Sequence, residues 1–120
     1  MIAFDAKRYY HNHRGLGNYS RDVVRLIREY KPDWQLELID KSGLARSFMR
    51  VPKCDIYHGL SGELPFTIER SQRRGTKAVV TMHDAIFIRY PELYSPTYRW
   101  LFTEKVRYAC RVADCIIAIS

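Results

Sequence analysis

The feature that most constrains this chain is the run Lys77-Ala-Val-Val-Thr-Met82, charged at its start, apolar through most of its length and followed at once by His83-Asp84. A short apolar run bounded in this way is the signature of a central parallel strand covered on both faces. Met1 to Asp5, Gln35 to Asp40, Cys54 to Gly59 and Asp114 to Ser120 read as four further strands. Between them lie two helical patterns. One begins at about Asn18, a good N-cap, spaces Val23, Val24, Leu26, Ile27 and Tyr30 along one face, and ends at Pro32. The other begins at Ser95-Pro96, with Ser capping and Pro at the first helical position, and repeats Tyr98, Leu101, Phe102, Val106, Ala109, Cys110 and Ala113. Shorter helical turns are expected around Leu44 to Met49 and between Leu60 and Gly75. With no Asn-Gly hairpin turn anywhere, this order predicts an α/β fold: a doubly wound, mostly parallel sheet formed by residues 1–120 as one domain.

Composition narrows the function. The chain is 47% hydrophobic and 28% charged, and no segment approaches the ~18 uninterrupted apolar residues of a membrane span. The opening Met-Ile-Ala-Phe-Asp lacks the features of a secretory signal, so the cytoplasm is the expected compartment. Cys54, Cys110 and Cys115 are an odd number without metal-ligand spacing, and buried structural thiols are expected. A net charge of +7 points to an anionic partner. The absence of CxxC, HExxH, GxSxG and a P-loop argues against zinc hydrolysis, nucleotide hydrolysis and hydrolase-elbow chemistry, and there is no Asp-x-Asp metal motif. The basic residues are scattered over several elements without a recognition helix or an aromatic sheet motif, so nucleic acid is not an expected partner.

Ligands of open α/β sheets sit beyond the carboxyl ends of the strands, where strand order reverses. His83 and Asp84 are placed there. The plainer alternative is that His83 satisfies a neighbouring carbonyl and Asp84 caps the next element. A second candidate is the stretch Ala6 to Gly17, read as a polar and aromatic loop with Lys7, Arg8, His11, His13 and Arg14 ahead of Gly15-Leu16-Gly17. Two glycines opening a helix can present amides to a phosphate. They match the dinucleotide fingerprint poorly, because Ser20 stands where the third Gly belongs and Ala6 to Arg14 separate the strand from Gly15. Asp40, as a ribose ligand, keeps that reading open. His58 is delivered by the third strand, and Gly59 beside it permits close backbone approach.

Together, Ile2-Ala-Phe-Asp-Ala6, Arg14-Gly-Leu-Gly-Asn-Tyr-Ser-Arg21, Asp55-Ile-Tyr-His-Gly59, Leu64-Pro65, Val79-Val-Thr-Met-His-Asp84, Arg89-Tyr-Pro-Glu92 and Ala113-Asp-Cys-Ile-Ile-Ala-Ile-Ser120 form a specific series. In this order the chain resembles the amino-terminal Rossmann-like domain of the retaining glycosyltransferases with two facing domains, the GT-B architecture of family 4. The resemblance implies that Gly15, Leu16 and Gly17 approach the donor diphosphate, that His83 with Asp84 serves the transferred sugar or acceptor, and that His58, Arg14 and Tyr19 lie on the acceptor side. It also implies a nucleotide-sugar donor, a glycan or lipid-linked acceptor, no metal or other cofactor, and a separate carboxyl-terminal domain that holds the nucleotide and is absent from these 120 residues. The isolated chain is then expected to be inactive. Arg21, Arg25, Arg28 and the Arg70 to Lys77 cluster are expected to favour weak attachment to an anionic membrane surface on its cytoplasmic face. The competing class is a non-catalytic Rossmann-like module that binds a nucleotide or another anion.

Overall fold

The computed structural model describes residues 1–11, 15–41, 43–83 and 95–119. Asp84, Arg14 and the segment Arg89 to Glu92 therefore lie outside the described residues. The elements run in the order β1 (Ile2–Asp5), α1 (Lys7–His11), α2 (Gly15–Tyr30), β2 (Leu36–Ile39), α3 (Gly43–Ser47), β3 (Ile56–Gly59), α4 (Ile68–Arg73), β4 (Lys77–Met82), α5 (Pro96–Val112) and β5 (Cys115–Ala118). The strands form one parallel sheet in the order β2-β1-β3-β4-β5. This is an α/β Rossmann-like fold, with the doubly wound strand order whose switch point falls between β1 and β3.

That order corrects one expectation. β4 was expected to lie where strand order reverses, but the reversal falls at β1 and β3, and β4 stands one strand away. Asp5 and His58 are the polar residues nearest the switch point, while His83 comes after the neighbouring strand.

Strand alternation divides the core in two. Ile2 and Phe4 of β1 pack with Val24 of α2 and Leu60 on one face. On the other, Ala3, Tyr57, Ala78 and Val80 pack with Ile68 of α4 and with Tyr108 and Ala109 of α5. Asp114 fixes the end of α5 to the sheet: its carboxylate accepts from the Ala78 amide at 2.8 Å, and its own amide donates to the Ala78 carbonyl at 2.8 Å. The Ala78 amide, together with Gln72, holds this carboxyl below the usual range.

Several local expectations change. Lys7 to His11 is a short helix rather than loop, because the Asp5 carboxylate accepts from the Lys7 amide and the Ala6 carbonyl from the Tyr10 amide. The helix expected at Asn18 starts at Gly15, so Gly15 to Gly17 form its opening turn. Leu26 and Tyr30 on α2, and Leu101 and Cys110 on α5, are exposed although their spacing assigned them to apolar faces. Of the cysteines only Cys54 is buried; Cys115 lies in β5, all four residues of which are exposed. Among the described residues, no helix is long and apolar enough to cross a membrane.

Candidate functional site

The carboxyl edge of the sheet carries two polar clusters, one on each face. On the α2 face, His58 of β3 and Thr81 of β4 point the same way, because His58 pairs in register with Val79 and Thr81 lies two residues further on. His58 Nε2 is 2.7 Å from Thr81 Oγ1, and the Tyr19 hydroxyl from α2 reaches the same oxygen at 3.2 Å. A hydroxyl can accept from one partner while donating to the other, so Thr81 links the histidine to the tyrosine. The Tyr19 ring then meets the His83 imidazole edge to face, with centroids 4.9 Å apart and planes at 82°. His83 Nε2 donates to the Leu60 carbonyl at 2.9 Å. This places the proton of the neutral ring on Nε2 and its lone pair on Nδ1.

The two histidines differ in chemistry. His58 is 8% exposed, and burial lowers its pKa from 6.5 to about 4. It is a neutral imidazole at physiological pH, held against the Phe4 ring at 5.6 Å. His83 is half-buried. Thus His58 positions Thr81, and His83 is the less buried of the two rings.

On the opposite face, Asp5 at the end of β1 is 3% exposed and lies 3.2 Å from Arg46 of α3. Arg46 also pairs with Glu63, whose second oxygen lies 3.2 Å from Lys105 Nζ on α5. Ser61 Oγ donates to Asp5 at 3.3 Å. Burial raises the Asp5 carboxyl above its usual range, opposed chiefly by the Arg46 charge. Two carboxylates and two cations balance, so the cluster serves to tie α3, the segment after β3 and α5 to the end of β1. Gly59 is indispensable to this corner. A Cβ there would fall onto the Glu63 carbonyl oxygen and crowd Leu64, which is the close backbone approach expected of it.

Of the residues expected in the site, His58, His83 and Tyr19 come together, and Gly17 lies two residues before Tyr19 in the opening turn of α2. Ser20, at the position of the fingerprint's third Gly, is fully buried. Asp40 is exposed directly after β2, at the end of the sheet beyond β1. Thr81 and the Asp5–Arg46–Glu63–Lys105 cluster were not anticipated. Thr81 could have been found from strand alternation, since it shares a face with Val79; Arg46 and Glu63 carry no such signal. Among the described residues, no three His, Cys, Asp or Glu side chains converge in a metal-ligand arrangement. Comparison of the chain with protein-family models, curated proteins and solved structures finds no match.

Proposed function

We propose that this chain is the acceptor-side domain of a retaining glycosyltransferase of the GT-B type, which moves a sugar from a nucleotide-diphosphate donor to a glycan or lipid-linked acceptor. The single observation that carries the reading is the convergence, at one sheet edge, of the glycine-opened turn of α2 with His58 and His83, linked through Tyr19 and Thr81. These are the segments on which the sequence resemblance rests. On this reading a second, nucleotide-binding domain faces the edge and supplies most donor contacts.

The roles derive from the chemistry of each group. His83, oriented by the Leu60 carbonyl and the Tyr19 ring, offers Nδ1 to a sugar hydroxyl, as an acceptor when neutral and as a donor when protonated. Retaining transfer develops positive charge on the sugar ring and negative charge on the leaving diphosphate, so positioned donors at the diphosphate lower the barrier. On this reading the glycine-opened turn of α2 lies toward the donor diphosphate. Arg14 and Asp84 belong to the same proposal through the resemblance alone.

Membrane attachment is a subsidiary part of the proposal. Its support is the exposed Trp100, at 65%, on basic α5, and the exposed Arg70, Arg73 and Lys77. The α2 face contributes less than its sequence suggests, because Arg25 pairs with Asp22 and Glu29.

The test is sugar transfer by the full-length gene product from a panel of nucleotide-diphosphate sugars, with the anomeric configuration of the product read by NMR. Transfer with retention, and none from the 120-residue chain alone, is expected. Robust transfer by the isolated chain, or no transfer by a full-length product that binds its donor, contradicts the reading.

A further inference from the structure

Three exposed cations without ion-pair partners among the described residues meet at a concavity. At the amino edge of the sheet, opposite the clusters around His58 and Asp5, a groove of about 820 Å³ runs between the segment leading into β3 and the turn after α4. That volume lies within the range of small-molecule sites. Arg50 and Lys53 line one wall and Arg74 the other, and all three are exposed. None of them makes an ion pair among the described residues.

Some other exposed bases have acids beside them. Arg25 lies between Asp22 and Glu29, and Arg107 pairs with Glu104. In the groove the one lining acid is Asp55, and its carboxylate is held by the terminal amine of Met1 at 2.7 Å, a contact that keeps it ionised and already balanced. The carbonyls at the end of α4 do not oppose an anion either. The Ser71 carbonyl accepts from the Arg74 and Thr76 amides, and the Gln72 carbonyl from Gly75. Three unopposed cations across a concave surface make a field that collects multivalent anions.

We propose that this amino-edge groove binds a small polyphosphate-bearing anion, with Arg50 and Lys53 contacting it from one wall and Arg74 from the other. Arginine and lysine both suit phosphate oxygens, the former by paired donors and the latter as a point charge. Two sources share this chemistry, a soluble phosphate ester and an anionic lipid headgroup. The position favours the soluble one. Strands of this length place the groove roughly 15 Å from the carboxyl edge at ~3.3 Å per residue, so a membrane held there faces away from the candidate sugar site.

The experiment titrates inorganic tripolyphosphate into the 15N-labelled 120-residue chain at moderate salt, alongside Arg74→Gln and the double variant Arg50→Gln/Lys53→Gln. Amide shifts confined to residues 50–55 and 71–76 are expected, with affinity reduced about tenfold by Arg74→Gln and further by the double variant. All three positions are exposed, so unchanged melting temperatures will show that the fold persists. Phosphatidylglycerol vesicles form the second arm and are expected to bind no more strongly through these residues than tripolyphosphate does. Shifts spread over every basic residue, affinity indifferent to the substitutions, or groove-dependent binding to vesicles or RNA without binding to tripolyphosphate each overturns the proposal.

Discussion

Thr81 shows how a single buried hydroxyl organises one side of the carboxyl edge. It is fully buried and serves both His58 and Tyr19. Thr81→Val keeps the shape but leaves a buried imidazole nitrogen without its partner, so a loss of ~1–3 kcal/mol is expected. Urea denaturation checks this, and a midpoint equal to wild type would show that the contact contributes little. His58 itself makes stability depend on pH. Burial lowers its pKa from 6.5 to about 4, so the unfolded chain takes up the proton first as pH falls. Its contribution is complete above pH 6.5 and is lost on the way to about pH 4, a change on the order of 3 kcal/mol. Asp5 acts in the opposite sense, because its raised carboxyl pKa means that the folded state takes up that proton first. The measurement is therefore the difference between wild type and His58→Gln in melting temperature from pH 7 to 4: wild type is expected to lose more on acidification, and parallel curves would contradict the assignment.

Elements are joined here by contacts that sequence spacing does not reveal. Arg46 binds Asp5 and Glu63 across separations of 41 and 17 residues, and Glu63 reaches on to Lys105. Arg46→Met removes the cation shared by two buried carboxylates and is expected to cost ~3–5 kcal/mol, read by denaturant unfolding. A smaller loss than for a surface control such as Arg107→Met would contradict this account of the corner. The strands were legible from their apolar runs, which for the inner strands β1, β3 and β4 follow from burial between the two faces, and all five appear where those runs fall. α1 was not, since five residues are too few for a period to show and its start depends on the Asp5 carboxylate. The opening of α2 was hidden for another reason: Gly15 and Gly17 are poor helix formers, so Asn18 looked like the cap. β5 was legible as a strand but not as an edge of the described sheet, a property that only strand order decides. Ile116 and Ile117 in β5 and Ile119 just after it are exposed, and an apolar edge invites pairing with another chain. Concentration-dependent association by sedimentation is expected, relieved by Ile117→Lys; a wild-type chain monomeric at high concentration would refute it.

At the scale of the whole molecule, the sheet separates two surfaces of different character. The carboxyl edge carries buried, mutually satisfied polar clusters around His58 and Asp5, and the amino edge carries unopposed cations around a groove. Which residues would meet at the carboxyl edge was legible in part: His58, His83 and the α2 opening were placed at strand ends or helix starts, and strand ends of a parallel sheet share an edge. The switch point was not legible, because strand order depends on which way each crossover turns. The central claim is that His83 meets the reacting sugar rather than merely supporting Leu60. Both roles use the same ring: Nε2 is held by the Leu60 carbonyl, and on the proposed reading Nδ1 meets the sugar. Losing that one hydrogen bond should cost about 1 kcal/mol, or a few degrees of melting temperature. Losing a positioned polar group at the reacting centre should lower turnover by ~100-fold or more. The decisive measurement is the turnover of full-length His83→Ala with its nucleotide-sugar donor, taken with its melting temperature. A loss of about 100-fold with melting lowered by only a few degrees is expected, whereas turnover within a few-fold of wild type, or activity lost together with the fold, would remove His83 from the reacting centre.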